Sequence, residues 1–162
     1  MTNKNKLCTP WEPASPCPLP EYPRPQMSRE QFSPGWVNLN GQWDYAILGK
    51  EDPAPARFEG KILVPFPVES LLSGVERTLL PTQRLWYRRV FECPVKGDTD
   101  RVLLHFGAVD YQCDVLINGK SAGSHTGGYL PFTFDVTGLL VAGTNEMVVS
   151  VWDPSDAGLQ QR

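Results

Sequence analysis

After Pro34 the chain breaks into short runs in which apolar residues fall at every second position, each run ended by glycine, proline, asparagine or aspartate. A period of two sends successive side chains to opposite faces of an extended strand, and such closely spaced turn residues leave no room for helices of ordinary length. Eight runs read this way: Gln42–Leu48, Lys61–Val64, Leu85–Cys93, Arg101–Phe106, Tyr111–Ile117, Lys120–Ser124, Phe132–Val136 and Glu146–Trp152. In the first, Trp43, Tyr45 and Ile47 share a face. In the fifth, Tyr111, Cys113, Val115 and Ile117 share one face and Gln112, Asp114 and Leu116 the other. Asn118-Gly119 separates the fifth run from the sixth, and both residue types tolerate the positive φ that a two-residue hairpin turn demands. One helical turn over Thr137–Val141 is the only helix the pattern suggests. Strands in this number with almost no helix predict an all-β jelly-roll sandwich.

With 41% apolar and 10% aromatic residues, 162 residues suffice for one domain with a real core. Seven prolines between Thr9 and Pro25 force extended backbone and remove ladder donors, so residues 1–34 read as an arm and 35–162 as the sandwich. The arm either drapes over the domain or serves as a proline-rich ligand for another module. Fifteen basic residues stand against 18 acidic ones, a net charge of -3, with no Lys/Arg block to track phosphates. Nucleic acid is therefore not an expected partner. No apolar run approaches the about 20 residues of a membrane span, and MTNKNKLCTPWEP has no apolar segment behind its two lysines. A cytoplasmic location is the expectation. Cys8, Cys17, Cys93 and Cys113 show no C-x-x-C spacing and are too few for a disulfide scaffold, so neither metal nor cofactor is expected.

Six blocks then occur in a telling order: VNLNGQWDYAI (Val37–Ile47), ILVPFPVESLLSG (Ile62–Gly74), LWYRRVFECP (Leu85–Pro94), LLHFGAVDY (Leu103–Tyr111), VLINGKSAGSHTGGYLPFTFDVT (Val115–Thr137) and VWDPSD (Val151–Asp156). Together they resemble the N-terminal jelly-roll, sugar-binding-type domain of glycoside hydrolase family 2, which holds β-galactosidases, β-glucuronidases and β-mannosidases. The resemblance implies that an immunoglobulin-like sandwich and a TIM-type barrel follow, the barrel carrying two glutamates for retaining hydrolysis. Such a pair sits about 5 to 5.5 Å apart, on a barrel of about 250 residues. This chain is then expected to be non-catalytic, with the remainder of a glycosidase chain as its partner. The alternatives are a self-standing carbohydrate-binding module and a structural interaction domain. The family pattern also runs on to a final strand beyond Arg162, so an open sheet edge and a homo-oligomer through it are expected.

Asp153 and Asp156, in WDPSDAGLQQR, resemble the family's acidic loop facing the catalytic pocket and are candidates for sugar binding, with ordinary turn chemistry as the other reading. Trp36, beside Pro34-Gly35, is the third sugar candidate; Trp11 is likewise free to be exposed, whereas Trp43, Trp86 and Trp152 fall in strands and read as core. His125 precedes Gly127, Gly128 and Tyr129 in an expected loop and reads as scaffold rather than catalyst, as does His105. Glu69 could pin its loop by a forked bond to Arg88 or Arg89, or stay solvated. Asn118 and Gly119 complete the structural set, and Pro65 or Pro67 is a candidate for a cis bond.

Overall fold

In the computed structural model residues 37–92 and 101–154 are described. The strands are β1 (Gly41–Gly49), β2 (Gly60–Val64), β3 (Gln83–Glu92), β4 (Leu103–Phe106), β5 (Gln112–Ile117), β6 (Lys120–Thr126), β7 (Phe132–Asp135) and β8 (Thr144–Trp152). Six form a sheet in the order β2-β1-β3-β8-β5-β6, and β4 pairs with β7 in a second sheet. Every pairing is antiparallel.

The alternation read from the sequence decides which side of each strand is dry. Cys113, Val115 and Ile117 of β5 are 0%, 1% and 0% exposed, and β8 lays Val151, Val149 and Met147 directly beside them. Trp43, Tyr45 and Ile47 of β1 continue this face through Leu85 and Tyr87 of β3. The second sheet lays an aromatic layer over it. Phe106 stacks on Phe132 at 4.8 Å, and Phe134 meets Phe132 edge-on at 5.5 Å. Each fully buried Val, Leu or Ile contributes about 1.5 to 3 kcal/mol, so this shared face is the main stabilising element.

A connection after β2 covers the inner face further with Val68 and Leu79, both buried. Its single 3-10 turn, Leu71–Ser73, forms because the Ser70 side chain accepts from Ser73 N and Gly74, at φ 78, closes the turn through Leu71 O. Alternation alone gives no sign of this turn. Around Thr137–Val141 a single turn forms, closed by Leu139 N donating to Val136 O at 2.9 Å, and no helix grows from it. Asp135 Oδ1 accepts from both the backbone N and the hydroxyl of Thr137, and Val141 N donates to the Asn145 side chain, so the donors on either side of that turn are engaged elsewhere.

Boundaries shift where neighbours dictate. β3 begins at Gln83 rather than Leu85 because Gly49 and Leu48 still pair with Gln83 and Arg84. β4 starts at Leu103 rather than Arg101, the first residue that pairs with β7. β6 runs to Thr126, past Ser124, because Thr126 and His125 pair with Gln112 and Cys113. His125 is thus a strand residue and not a loop residue. Val64-Pro65 and Asp110-Tyr111 are cis peptides. The arm of residues 1–34, together with Cys8, Cys17 and Cys93, lies outside the described residues.

Candidate functional site

Strands β5, β6 and β8 finish together at one end of the sandwich. Gln112 pairs with both Thr126 and Trp152. One step further, Gly127 N donates to Tyr111 O at 2.8 Å and Tyr111 N to Trp152 O at 3.4 Å. From this row the chain rises into Gly128, Tyr129 and Leu130, and Asp153 follows Trp152 on the neighbouring strand.

The loop is shaped by its glycines and clamped at its base. Gly127 has φ 123, a conformation that side chains rarely adopt. A Cβ on Gly128 would fall 2.4 Å from Asp110 Oδ1, so only hydrogen fits there. Below them the His125 ring, on β6, stacks on Phe132, on β7, with centroids 4.0 Å apart and planes 14° from parallel. That contact ties the two legs of the loop together. His125 Nε2 is buried without a hydrogen-bond partner among the described residues, which suits a packed ring and not a proton shuttle.

Tyr129 and Leu130 stand at the top, 75% and 71% exposed, the highest values among the large hydrophobic residues described. Two adjacent exposed apolar side chains on a loop whose base is clamped can serve as an anchor for a partner surface.

The remaining sequence candidates do not converge on this end. Asn118 (φ 50) and Gly119 (φ 75) form the two-residue turn between β5 and β6 at the opposite end of the hairpin. Asp153 is half-buried beside the loop, while Asp156 and Trp36 lie outside the described residues. Arg88 does not bind Glu69. Its Nε and Nη2 donate to Asp44 Oδ2 at 3.0 and 2.8 Å, because alternation along β3 sends Arg88 to the outer face beside Asp44 of β1. Glu69 Oε1 instead accepts from Leu79 N at 3.4 Å. His105 Nδ1 lies 2.8 Å from Thr133 Oγ1 across the β4–β7 pair.

The tryptophans offer no stacking platform among the described residues. Trp43 is core, at 6% exposure; Trp86 is 8% exposed but lies on the outer face, and Trp152 is capped by Lys50 Nζ at 3.6 Å from its ring centre. Among the described residues no group of three or more His, Cys, Asp or Glu could hold a metal ion.

An antiparallel sandwich of this topology, with one wide sheet, an aromatic second layer and a clamped apolar loop at one end, is a galactose-binding-like domain. Residues 73–162 match the family described as "Glycosyl hydrolase 2 galactose-binding domain-like", and the chain belongs to that family. A β-galactosidase of Thermoanaerobacter pseudethanolicus is 36% identical over 66 residues, covering 41% of this chain and 9% of the relative. A β-glucuronidase of Felis catus is 31% identical over 137 residues, covering 75% and 20%. Among solved structures, Bifidobacterium dentium β-glucuronidase complexed with coumarin-3-O-glucuronide superposes with a TM-score of 0.54 at 31% identity, covering 70% of this chain and 19% of that one. The chain thus spans a fifth or less of these three proteins. The catalytic barrel, about 250 residues in itself, has no counterpart in 162 residues.

Proposed function

We propose that this domain serves a family 2 glycosidase as a non-catalytic module that packs against the catalytic barrel and shapes one wall of its substrate cleft. The observation that carries this reading is the Tyr129–Leu130 pair, exposed on a loop clamped at its base, at the end of the sandwich where the chain leaves β8 toward Asp153 and Pro154. Trp152, the last residue of β8, pairs with Gln112 and accepts from Tyr111 N at the same end where Gly127 begins that loop. The relatives support the same partner, since in each the matched segment is a minor part of a longer glycosidase.

A self-standing carbohydrate-binding module needs clustered exposed aromatics, and the described tryptophans are buried or capped. Retaining hydrolysis needs a carboxylate pair about 5 to 5.5 Å apart in a substrate cleft, whereas Asp44 and Asp114 are engaged in cross-strand ion pairs.

The purified chain should release no nitrophenol from aryl β-glucuronide or β-galactoside, and calorimetry should detect no free-sugar binding tighter than about 1 mM. Hydrolysis that copurifies with the chain through successive columns overturns the non-catalytic assignment. Tight binding of galactose or glucuronate selects the carbohydrate-binding module instead.

A further inference from the structure

At the β2 edge of the six-stranded sheet, the opposite edge from β6, the outer face holds a cleft of about 340 Å³ lined by Asp44, Ala56–Lys61 and Arg88. The volume lies near the lower bound of small-molecule sites, about 300 to 1,000 Å³. A monosaccharide-sized ligand would fill it.

Its floor is one cross-strand row. Lys61 of β2, Asp44 of β1 and Arg88 of β3 are direct register neighbours on the outer face. Asp44 is gripped from both sides, by Lys61 Nζ at 2.6 Å on Oδ1 and by the Arg88 fork on Oδ2. Arg88 is fixed further by the Phe58 ring, whose centre lies 4.5 Å from its Cζ.

The wall is equally anchored. Glu59 N donates to Tyr45 O at 2.8 Å, while Glu59 Oε1 accepts from Ile47 N at 2.8 Å and Oε2 from Arg77 at 2.6 Å. Both carboxylates of the cleft are therefore already engaged. Of the three cations, Arg57 alone has no acidic partner among the described residues. Three cations face two carboxylates in the lining; Glu59 also pairs with Arg77 and Arg88 with Glu146, both outside it, so one positive charge is left over. The exposed Arg57 guanidinium is thus left without an acidic partner among the described residues, beside a lining with one excess positive charge.

The geometry points to a binding site for a compact anionic ligand of monosaccharide size, a sugar acid or sugar phosphate, whose anionic group bridges Arg57 and Lys61. Arg57 offers a planar fork of donors matched to carboxylate or phosphate oxygens, and Lys61 adds a point charge from the floor row. The site is separate from the Tyr129–Leu130 end and does not depend on the proposed function.

The test is a titration of the 162-residue chain, followed by amide chemical shifts, with glucuronate, glucose 6-phosphate and uncharged glucose at low ionic strength. One or both anions should bind with dissociation constants of about 1 to 10 mM and perturb residues 56–61. Glucose should bind at least about tenfold more weakly, and added salt should weaken the anions alone. Whichever anion binds tighter identifies the source of the charge. Arg57→Gln, an exposed position whose loss leaves the Asp44 row intact, should weaken the anion at least about fivefold, with Arg57→Lys intermediate. Equal affinity for glucose, perturbations confined to other surfaces, or unchanged binding by Arg57→Gln overturns the assignment.

Discussion

Asn118 donates its side-chain amide to Asn145 Oδ1 at 2.7 Å, joining the β5–β6 turn to the start of β8. Asn145 is 1% exposed and uses its whole capacity: Oδ1 also accepts from Val141 N, and Nδ2 donates to Val141 O and Gly143 O. The Asn118 side chain is almost equally occupied. Its Oδ1 accepts from Glu146 N, and its Nδ2 also reaches Leu139 O. A fully satisfied buried amide specifies one path for the chain, because any other path strands polar groups away from water.

Asn145→Ala should therefore cost about 2 to 4 kcal/mol, several buried groups losing partners at once. Asn145→Asp should be at least as damaging near neutral pH, since a carboxylate cannot donate to the Val141 and Gly143 carbonyls. Urea melts of the two variants check this. Loss below about 0.5 kcal/mol in both would show that water substitutes for the network.

Gly123 of β6 sits at φ 148, and a Cβ there would lie 2.4 Å from Cε1 of Phe134. The β5–β6 register slips at this point, between Val115 and Leu116, which brings the backbone against the aromatic layer. Gly123→Ala should cost about 2 to 4 kcal/mol through overpacking and backbone strain together. Pairing it with Phe134→Leu should recover part of that loss, by less than the sum of the two single effects. A thermal-melt cycle showing strict additivity would remove the close-approach explanation.

The β-strands were legible because alternation is written directly in residues such as Cys113, Val115 and Ile117, and the hairpin because Asn118-Gly119 needs no partner to be recognised. What stayed hidden depends on residues far apart in sequence. Asn145 reads as one polar residue at the start of a strand until Asn118 and Val141 are brought to it. Arg88 could be placed on a face but not matched, since several acidic residues were candidates and only the β1–β3 register selects Asp44. His125 next to glycines suggests a loop; the ladder with Cys113 and the ring stack on Phe132 override that local signal. The apolar anchor escaped for a simpler reason. Tyr129 reads as part of a structural loop and Leu130 carries no signal of its own, because their exposure is a property of the folded surface alone.

Asp44 gives the fold an acid limit. Burial raises its pKa, but hydrogen bonds from Lys61 and Arg88 and their charges outweigh that and hold it below the ordinary value. A depressed folded pKa means the stabilisation is complete above the unfolded value, about 3.9, and is lost as pH falls through the folded value. Asp44→Asn should thus lower stability at about pH 7 by about 1 to 2 kcal/mol, with the gap to the parent narrowing as the pH approaches about 2. Urea titrations at both pH values test this, and a gap that widens in acid would reverse the sign.

Cys113 sets the opposite, alkaline limit. Its side chain is 0% exposed in the core, and burial, aided by the charge of Asp114, pushes the thiol up to about 11 despite a backbone hydrogen bond involving His125. In the unfolded chain the thiol ionises near about 8.5, so between those values only the unfolded state sheds the proton. The stabilisation from keeping the thiol neutral is complete below about 8.5 and is lost as pH rises toward the folded value. Two results should follow. Peptide mapping after alkylation at about pH 8 should find Cys113 unmodified under native conditions and fully modified in about 6 M guanidinium chloride, a level that unfolds small domains. Cys113→Ala should flatten the fall in stability between about pH 8.5 and 10, the window in which the unfolded thiol ionises, whereas Cys113→Ser should lose about 1 to 3 kcal/mol at every pH by burying a hydroxyl among Val115, Val149 and Val151. Rapid native-state alkylation of Cys113 would mean that the β5–β8 face opens without global unfolding, and would overturn its place as a closed core position.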